Sequence, residues 1–489
     1  MNPDYAGLAA GLLPEAALVA GALAVLGVDL AWLRRSAPAR RLRTAASIGA
    51  CAVLVAIGCS LRIGAVGEVF GGVLALDPLA VATRVGVLVL TLLVLGVSLG
   101  GRVARPPAEY VVVVLFATCG FLLMAAAQQL LVAFLALELA SLSLYILAGF
   151  DASRPEAAEA AVKYFLFGAM AAAFLLFGFS LLYGLTGSIE LAQISVALVH
   201  APASPLLSAA LVMVLVAFGF KVAAAPFHLW APDAYQGAPA PSAALIASGS
   251  KLAGFVLFTR LLWPGLGALA GGFTWAGGGP GWIPIAAILC ALSLLIGNFA
   301  ALVQTDLRRL LAYSAIAHSG ALLLGVIASG SSGPAPLFYY AATYGLATVG
   351  AFGVIAVIEP MAGGAKITDL AGLSRRSPFL AGCLLVYILS LAGVPPLAGF
   401  VGKFVVFAAA LKMGGLAGPI GWLAVLAIAL SAVALYYYLI VLKQALVAAP
   451  APGASGRIRV PLAAAFALAA AAALILLLGL FPSLLLGRF

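Results

Sequence analysis

The sequence predicts an all-α polytopic membrane protein with about fourteen transmembrane helices. Its 489 residues are 65% hydrophobic and only 8% charged, with a mean hydropathy of +1.22, whereas an average soluble domain is roughly 25% charged. No Asp, Glu, Lys or Arg occurs between Leu261 and Thr305 or between Leu310 and Ile358. Each of these stretches can hold two membrane helices, since one helix needs about 20 apolar residues.

Apolar runs and the breaks between them place the spans in order along the chain. They are expected near 13–33, 44–62, 78–100, 110–127, 129–150, 161–186, 206–229, 239–262, 282–304, 309–329, 335–358, 378–411, 420–447 and 460–486. We divide the chain into an N-terminal three-helix segment (1–106), a first repeat of helices 4–8 (107–270), a second repeat of helices 9–13 (271–448) and a C-terminal helix 14 (449–489).

The charges in the connections agree with this count. With both termini on the outer side of the membrane, sixteen basic residues face inward and four face outward, which is the usual positive-inside bias. The net charge of +10 therefore reflects orientation in a bilayer rather than nucleic-acid binding. The inward set is Arg34, Arg35, Arg40, Arg41, Arg43, Arg102, Arg105, Arg154, Arg308, Arg309, Lys366, Arg375, Arg376, Lys443, Arg457 and Arg459, and the outward set is Arg62, Arg260, Lys412 and Arg488.

The sequence offers no site for a redox centre or a metal. The longest connections have only about 20 residues, so soluble chemistry must belong to partner chains. The cysteines show neither CxxC nor cluster spacing, which argues against iron–sulfur and zinc sites; they are Cys51, Cys59, Cys119, Cys290 and Cys383.

An isolated acid and a lysine mark the first repeat. Glu138 has no charged residue for 28 positions upstream or 12 downstream, and burial without a partner favours the neutral carboxyl group. Lys221, in VAFGFKVAAAPFHLW, is the candidate partner, because an ammonium in hydrocarbon costs roughly 2.5–3.5 kcal/mol on insertion scales and is kept for a reason. Such a pair can exchange protons, since each charge sets the proton affinity of the other. The alternative is a static ion pair that fixes packing, although such pairs add little stability.

Two further lysines lie on spans of the same repeat. Lys251, in ALIASGSKLAGFVLF, lies about ten residues from either end of span eight, too deep to reach the interface readily, and its small neighbours leave room for water. Lys163 lies at the start of span six, close to Glu159. Its ammonium can extend to the membrane interface or act as a relay group, and the sequence favours neither interpretation.

Prolines interrupt two spans beside lysines. Pro226 follows Lys221 in span seven, and Pro395 and Pro396 precede Lys403 in span twelve. Proline frees backbone carbonyls, which is tolerated at membrane depth only where the backbone is buried in protein or lines a hydrated cavity. Broken helices 7 and 12 are typical of ion-translocating sites, and a kink used only for packing would not predict a lysine beside both.

The spacing indicates two inverted five-helix repeats. Glu138 and Lys221 are 83 residues apart, and His318 and Lys403 are 85 apart. Five spans per unit is an odd number, so the second unit must be inverted. Lys221 precedes its proline whereas Lys403 follows its pair, so the two breaks do not superpose by sequence. His318 and His228 are candidate relay groups near neutral pH, or hydrogen-bonded structural residues.

Three segments carry a family resemblance. They are FHLWAPDAYQGAPAP at 227–241, DLRRLLAYSAIAHSG at 306–320 and SLAGVPPLAGFVGKF at 390–404. They resemble the antiporter-like membrane subunits of proton-translocating NADH–quinone oxidoreductase, respiratory complex I, over spans four to thirteen. Any one motif alone also occurs in the related multi-subunit cation/proton antiporters.

The resemblance implies a role for each buried charge. Glu138 and Lys221 would be the charge-coupled pair, Lys251 the central relay and Lys403 the terminal proton-loading site. Protons would enter from the cytoplasm and leave outward. NADH, FMN, iron–sulfur clusters and quinone would belong to other subunits, with no cofactor bound by this chain, and its partners would be antiporter-like neighbours and small membrane subunits.

Within that family the chain resembles one of three subunits. The largest carries a long C-terminal lateral helix, whereas this sequence ends at Phe489, just after span fourteen. The middle one typically has a glutamate where Lys403 stands. Length, span count and Lys403 together favour the third.

Two other functions remain open. A cation/proton antiporter would move Na⁺ or K⁺ with the same residues, but Glu138 is the only acid visible in mid-span, which favours protons. A scaffold with a vestigial channel is disfavoured, because leucines could replace the buried charges and avoid their cost.

Overall fold

A computed structural model describes residues 5–101, 106–200, 204–272, 281–450 and 456–489. Arg102 and Arg105 of the inward set lie outside these ranges. The described chain is almost entirely helical, apart from one short antiparallel hairpin. The all-α class is therefore confirmed.

The first half of the chain contains twelve helices and the hairpin. These elements are α1 (Tyr5–Gly11), α2 (Leu13–Val28), α3 (Pro38–Ile63), β1 (Gly67–Val69), β2 (Leu74–Leu76), α4 (Pro78–Ser98), α5 (Pro107–Ala126), α6 (Leu130–Ala148), α7 (Pro155–Thr186), α8 (Leu191–Val199), α9 (Pro205–Lys221), α10 (Trp230–Gly237), α11 (Ala240–Ala247) and α12 (Gly249–Arg260). Proline occupies the first turn of many of them, where its missing amide costs no helical hydrogen bond.

The second half begins after residue 280. Its helices are α13 (Trp282–Leu302), α14 (Leu307–Ser332), α15 (Ala335–Ala362), α16 (Leu373–Arg376), α17 (Pro378–Ala392), α18 (Ala398–Gly414), α19 (Pro419–Leu446), α20 (Leu462–Leu480) and α21 (Ser483–Leu486).

Twelve helices of the described residues are long and apolar enough to cross a membrane. Predicted span twelve is divided into two shorter helices, α17 and α18. Predicted span seven contains α9 followed by irregular backbone, and α10 begins just beyond it. The breaks fall where the prolines predict them. The total of fourteen spans and the two inverted repeats remain predictions.

The helices differ in what surrounds them. Helices α11, α12, α14 and α15 are almost wholly buried by protein, so they form the centre of the molecule. Helix α7 instead exposes large apolar side chains along its length, such as Leu166, Met170 and Phe177. A continuous apolar surface of this kind fits hydrocarbon, in agreement with the membrane assignment.

Backbone hydrogen bonds join connections that the charge pattern places on one face. Leu307 and Ile367 pair the connection before α14 with the one after α15, through hydrogen bonds to Ala365 and Thr305. Gln128, in the tight junction between α5 and α6, donates to the carbonyl of Val73. This extended junction separates α5 from α6, so predicted spans four and five are two distinct helices.

Two buried arginines within or at the ends of spans pair with acidic residues. Arg84 of α4 donates to Glu15 of α2 at 2.6 Å and to the Gly11 carbonyl at 3.1 Å. Arg260, at the end of α12, pairs with Asp77. The Arg84 contacts join helices within the N-terminal segment, and the Arg260–Asp77 pair ties that segment to the remainder of the bundle.

Candidate functional site

The break in span seven begins at Lys221, the last residue of α9. The peptide bond between Ala225 and Pro226 is cis, and α10 starts at Trp230. The indole Nε1 of Trp230 donates to the carbonyl of Phe220 at 3.0 Å. The same indole stacks on the ring of Tyr164, with the ring centroids 4.1 Å apart. An aromatic residue of the 227–241 motif thus pairs a carbonyl that the end of α9 leaves without a helical partner.

Neighbouring helices pair further backbone groups of this break. The hydroxyl of Ser319, on α14, donates to the carbonyl of Val222 at 2.6 Å. The amide of Ala225 donates to Ser293 Oγ, on α13, at 2.8 Å. All four residues are buried. The break is therefore embedded in protein, as irregular backbone at membrane depth must be.

Lys221 contacts the helix that carries Glu138. Its side chain is buried, and Nζ donates to Ser141 Oγ at 3.0 Å. Ser141 lies one helical turn after Glu138 on α6. Among the described residues, Glu138 has no ion pair within 4.0 Å, and its Oε1 is buried without a hydrogen-bond partner. Lys221 thus contacts a hydroxyl on the same helix as Glu138 and makes no direct ion pair with Glu138 itself.

Lys251 is the most enclosed of the lysines. Only 2% of it is exposed, and its Nζ donates to the Ala315 carbonyl and to Ser319 Oγ, each at 2.5 Å. Its ammonium also lies 5.6 Å from the ring centroid of Tyr344, within the range of a cation–π contact. Because Ser319 also reaches the Val222 carbonyl, this one hydroxyl connects Lys251 to the backbone beside Lys221.

Tyrosines surround His318, which directly precedes Ser319 on α14. Its Nδ1 shares a hydrogen bond of 2.6 Å with the Tyr340 hydroxyl, and its Nε2 shares one of 3.2 Å with the Tyr438 hydroxyl. Tyr438 is in turn hydrogen-bonded to Ser314. Both ring nitrogens are thus engaged by groups that can donate and accept protons, which suits a structural role and a relay role alike.

Lys403 lies on the far side of His318. It is buried, and its Nζ donates to the Ala392 carbonyl at 2.9 Å. Lys403, His318 and Tyr340 line the same small cavity of about 20 Å³. A cavity of roughly 10–15 Å³ or more holds one water molecule, so the space between the histidine and the lysine is large enough for a bridging water.

The glycines of the 390–404 motif make room for the second break. Gly393 has a φ of +86°, a conformation that favours glycine, and a Cβ there would stand 3.0 Å from Lys403 Cδ. A Cβ on Gly399 would lie 1.9 Å from the Ser390 carbonyl oxygen. The backbone can fold back onto Lys403 only because these side chains are absent.

The two other motifs meet in an ionic cluster at the α10–α11 joint. Buried Arg308 donates to the carbonyls of Gln236 at 2.9 Å and Ala238 at 2.8 Å, and pairs with Glu359 of α15. Arg309 donates to Asp233 at 2.8 Å. The 306–320 motif therefore fixes the half-helix that follows the first break.

A polar vestibule opens beside this cluster. It has a volume of about 770 Å³, and Asp151, Arg154, Gln236, Arg308 and Glu359 are among its lining residues. It lies on the face that carries most of the basic connections. The vestibule is thus a water-accessible approach to the α10–α11 joint.

Lys163 and His228 make no contact with Lys221, Lys251 or Lys403 that the structure records. Lys163 is 40% exposed in its side chain and pairs with Glu159 at 2.6 Å and Asp233 at 2.7 Å. Its position in the ionic cluster agrees with the interface interpretation of the sequence. His228 is buried in the first break, and its Nδ1 has no hydrogen-bond partner among the described residues.

Sequence reasoning missed the neutral groups that connect the charges. Ser141, Ser319, Tyr340, Tyr344 and Tyr438 all touch a predicted site residue or share a hydrogen bond with one. Ser141 follows Glu138 by three residues, and Ser319 follows His318 directly. A polar residue close to an ionisable one on the same span could therefore have been predicted to belong to the site. The tyrosines gave no such signal, because tyrosine is common in apolar spans.

Comparisons with known proteins agree with this arrangement. Residues 127–431 match the family described as "NADH:quinone oxidoreductase/Mrp antiporter, TM". The chain is 49% identical to NADH-quinone oxidoreductase subunit N 2 of Acidobacterium capsulatum, over 93% of both chains. It is 37% identical to NADH-quinone oxidoreductase subunit N of Chloroflexus aggregans, over 90% of this chain and 88% of that one.

Solved structures show the same fold. A chain of respiratory complex I from Thermus thermophilus with bound aureothin is 34% identical, with a TM-score of 0.78 over 97% of this chain and 98% of that one. A chain of the Mrp complex from a Dietzia species has a TM-score of 0.82 at 21% identity, over 99% and 96%. The second likeness concerns the fold alone.

Proposed function

Because the chain belongs to the membrane-subunit family shared by NADH:quinone oxidoreductase and the Mrp antiporters, we propose that it translocates protons as a subunit of a bacterial NADH–quinone oxidoreductase, in the position that its relatives named subunit N occupy. Electron transfer from NADH to quinone would take place in other subunits, with their flavin and iron–sulfur centres. This chain would contribute a proton path and contacts with its membrane neighbours.

One observation carries the proposal, namely a line of buried ionisable groups joined by hydroxyls. Lys221 reaches Ser141 beside Glu138, Lys251 reaches Ser319, and His318 and Lys403 share a cavity. Buried ammonium groups are costly in a membrane, and here each is within hydrogen-bond distance of a polar atom. The charge of Lys221, set by Glu138, would control the proton affinity of Lys251 and then of Lys403.

The charge bias supports a direction for this path. The vestibule lies among basic residues of the face assigned to the cytoplasm, and both termini would be periplasmic. Protons would enter from the cytoplasmic face and leave from the far side. Lys403 is the terminal loading site in this scheme, and His318, with its tyrosines, is the step between Lys251 and Lys403.

The assembly can be tested directly. We expect gentle detergent extraction, followed by native gel separation, to bring this chain into a large assembly that stains for NADH dehydrogenase activity and contains flavin and iron–sulfur centres. The check is detection of this chain in the stained band. Migration in a smaller assembly without that activity would instead favour a cation/proton antiporter.

The hydroxyl of Ser319 can be tested on its own. In Ser319→Ala, the Val222 carbonyl and Lys251 each lose a partner, so we expect slower coupled proton translocation in a complex that still assembles. The measurement is the rate of proton uptake by sealed vesicles during NADH oxidation. Ser329→Ala is the matched control, because Ser329 lies on the same helix and donates only to its own helix at Gly325. Equal rates in the two variants would remove Ser319 from the path.

The fold does not distinguish the proton subunit from an antiporter subunit, since the Mrp chain has the higher TM-score. Sequence identity separates them, at 34% to the complex I chain against 21% to the Mrp chain.

A further inference from the structure

We propose that the chain binds an anionic phospholipid in an apolar groove formed by α3, α4, α15, α20 and α21. The groove has a volume of about 520 Å³, within the roughly 300–1,000 Å³ of small-molecule sites. Its lining is apolar apart from one charged residue, Arg488, and includes Val85, Val89, Phe338 and Leu474. It is separate from the buried lysines, so the proposal does not depend on proton translocation.

The dimensions of the groove match one lipid tail. Along α4 its lining runs from Pro78 to Leu90, which is roughly 18 Å at 1.5 Å per residue. One leaflet of a bilayer has a hydrocarbon depth of about 15 Å. The groove begins at the helix end beside Gly64 and Arg488 and extends inward by about one leaflet. An acyl chain that enters from the membrane surface would fill it lengthwise.

The charges at the open end fit a phosphate. The charge pattern assigns only four basic residues to this face of the membrane, and Arg260 is already paired with Asp77. Arg488 lines the groove, and Arg62 adjoins its lining residue Leu61. Both arginines are exposed, and neither has an ion pair within 4.0 Å in the part of the chain that the structure describes.

An unpaired arginine on the outward face works against the orientation bias, so one that lines the groove and a second next to a lining residue in the chain call for a ligand. Guanidinium groups bind phosphate through two parallel hydrogen bonds. The occupant that satisfies both features is a lipid with an apolar tail and an anionic headgroup. A helix of a neighbouring protein would fill the groove but would leave the two arginines unexplained.

Photoactivatable lipids test the site in the whole complex. We expect phosphatidylglycerol with a photoreactive acyl chain to label peptides of α4 and α20 in the detergent-purified assembly. Unlabelled phosphatidylglycerol should compete with this labelling, and phosphatidylcholine should not. The double variant Arg62→Gln with Arg488→Gln should reduce labelling about tenfold or more, since each basic residue near an anionic membrane surface contributes appreciably.

Two control variants distinguish the contribution of the arginine charges from that of the apolar groove. Lys412→Gln removes the remaining unpaired basic residue assigned to this face and should leave labelling unchanged. Ala82→Phe places a ring in the groove, which Ala82 lines, and should abolish labelling without any change of charge. If the double variant fails to assemble, the proposal is still tested by Ala82→Phe and by the headgroup competition in the unaltered complex.

Equal competition by both lipids would overturn the proposal, because it would show a general lipid contact. Labelling confined to a neighbouring subunit would overturn it too, since the groove would then be covered by protein.

Discussion

Replacement of Lys221 by methionine is expected to stop most proton translocation through this chain while the complex still assembles. Methionine has nearly the volume of lysine, so packing against Ser141 is kept and only the ammonium is lost. Removal of a buried charge does not in itself destabilise a membrane helix. A positioned proton-transfer group contributes roughly 10²–10⁴-fold to rate, so flow through this subunit should fall by about 10²-fold. Protons pumped per NADH oxidised in sealed vesicles are the measurement.

A second variant distinguishes proton exchange from a fixed charge. Lys221→Arg keeps the positive charge beside Ser141, but a guanidinium does not release its proton. If Lys221 must be deprotonated in each cycle, the arginine variant should pump as poorly as the methionine variant. Normal pumping with arginine would show that a static ion pair with Glu138 suffices. Unchanged pumping with methionine would remove Lys221 from the path altogether.

Substitution of Glu359 by glutamine should cause the largest loss of stability. Its carboxylate pairs with Arg308, whose side chain is only 2% exposed, and also with Arg154 at 3.3 Å. Loss of one partner of a buried ion pair costs about 3–5 kcal/mol. We expect about 3 kcal/mol, because Glu359 itself is 24% exposed. The measurement is the midpoint of thermal unfolding in detergent, which should fall by several degrees.

Glu156→Gln is the control for Glu359. Its carboxylate also lies near Arg154, at 3.8 Å, but 63% of its side chain is exposed. Exposed ion pairs contribute roughly 0–1 kcal/mol, so the unfolding midpoint should barely move. Equal shifts in the two variants would show that Arg308 does not depend on Glu359 for its burial.

Much of the architecture followed from hydropathy and proline alone. The positions of the two broken spans were predicted correctly because proline acts on the backbone of its own helix, which is a local effect. The distortion at Ser248, between α11 and α12 and just before Lys251, was not predicted, because serine does not by itself break a helix. Long apolar runs likewise predicted the helices correctly, but they did not predict which helices pack against one another.

The partners of the buried charges were harder to predict than the charges. Glu138 and Lys221 stood out because ionisable residues are rare in spans, yet the side chain that Lys221 contacts is Ser141. Lys251 and Ser319 are 68 residues apart in the chain, and only the packing of α12 on α14 brings them together. Contacts between helices depend on which faces meet, and a hydropathy pattern that is apolar all round does not specify a face.

The C-terminal ends of α9 and α17, the helices that precede the two breaks, explain why Lys221 and Lys403 both lie beside a break. They do so although Lys221 precedes its proline and Lys403 follows its pair. Lys221 is the final residue of α9, and Lys403 reaches back from α18 to Ala392, the final residue of α17. The peptide dipoles of a helix add to about half a negative charge at its C-terminus. Each ammonium therefore sits at the negative pole of a helix that stops inside the membrane, where little solvent screens the field. The C-terminal end of a helix that stops inside the membrane can thus serve a lysine borne on either side of the break.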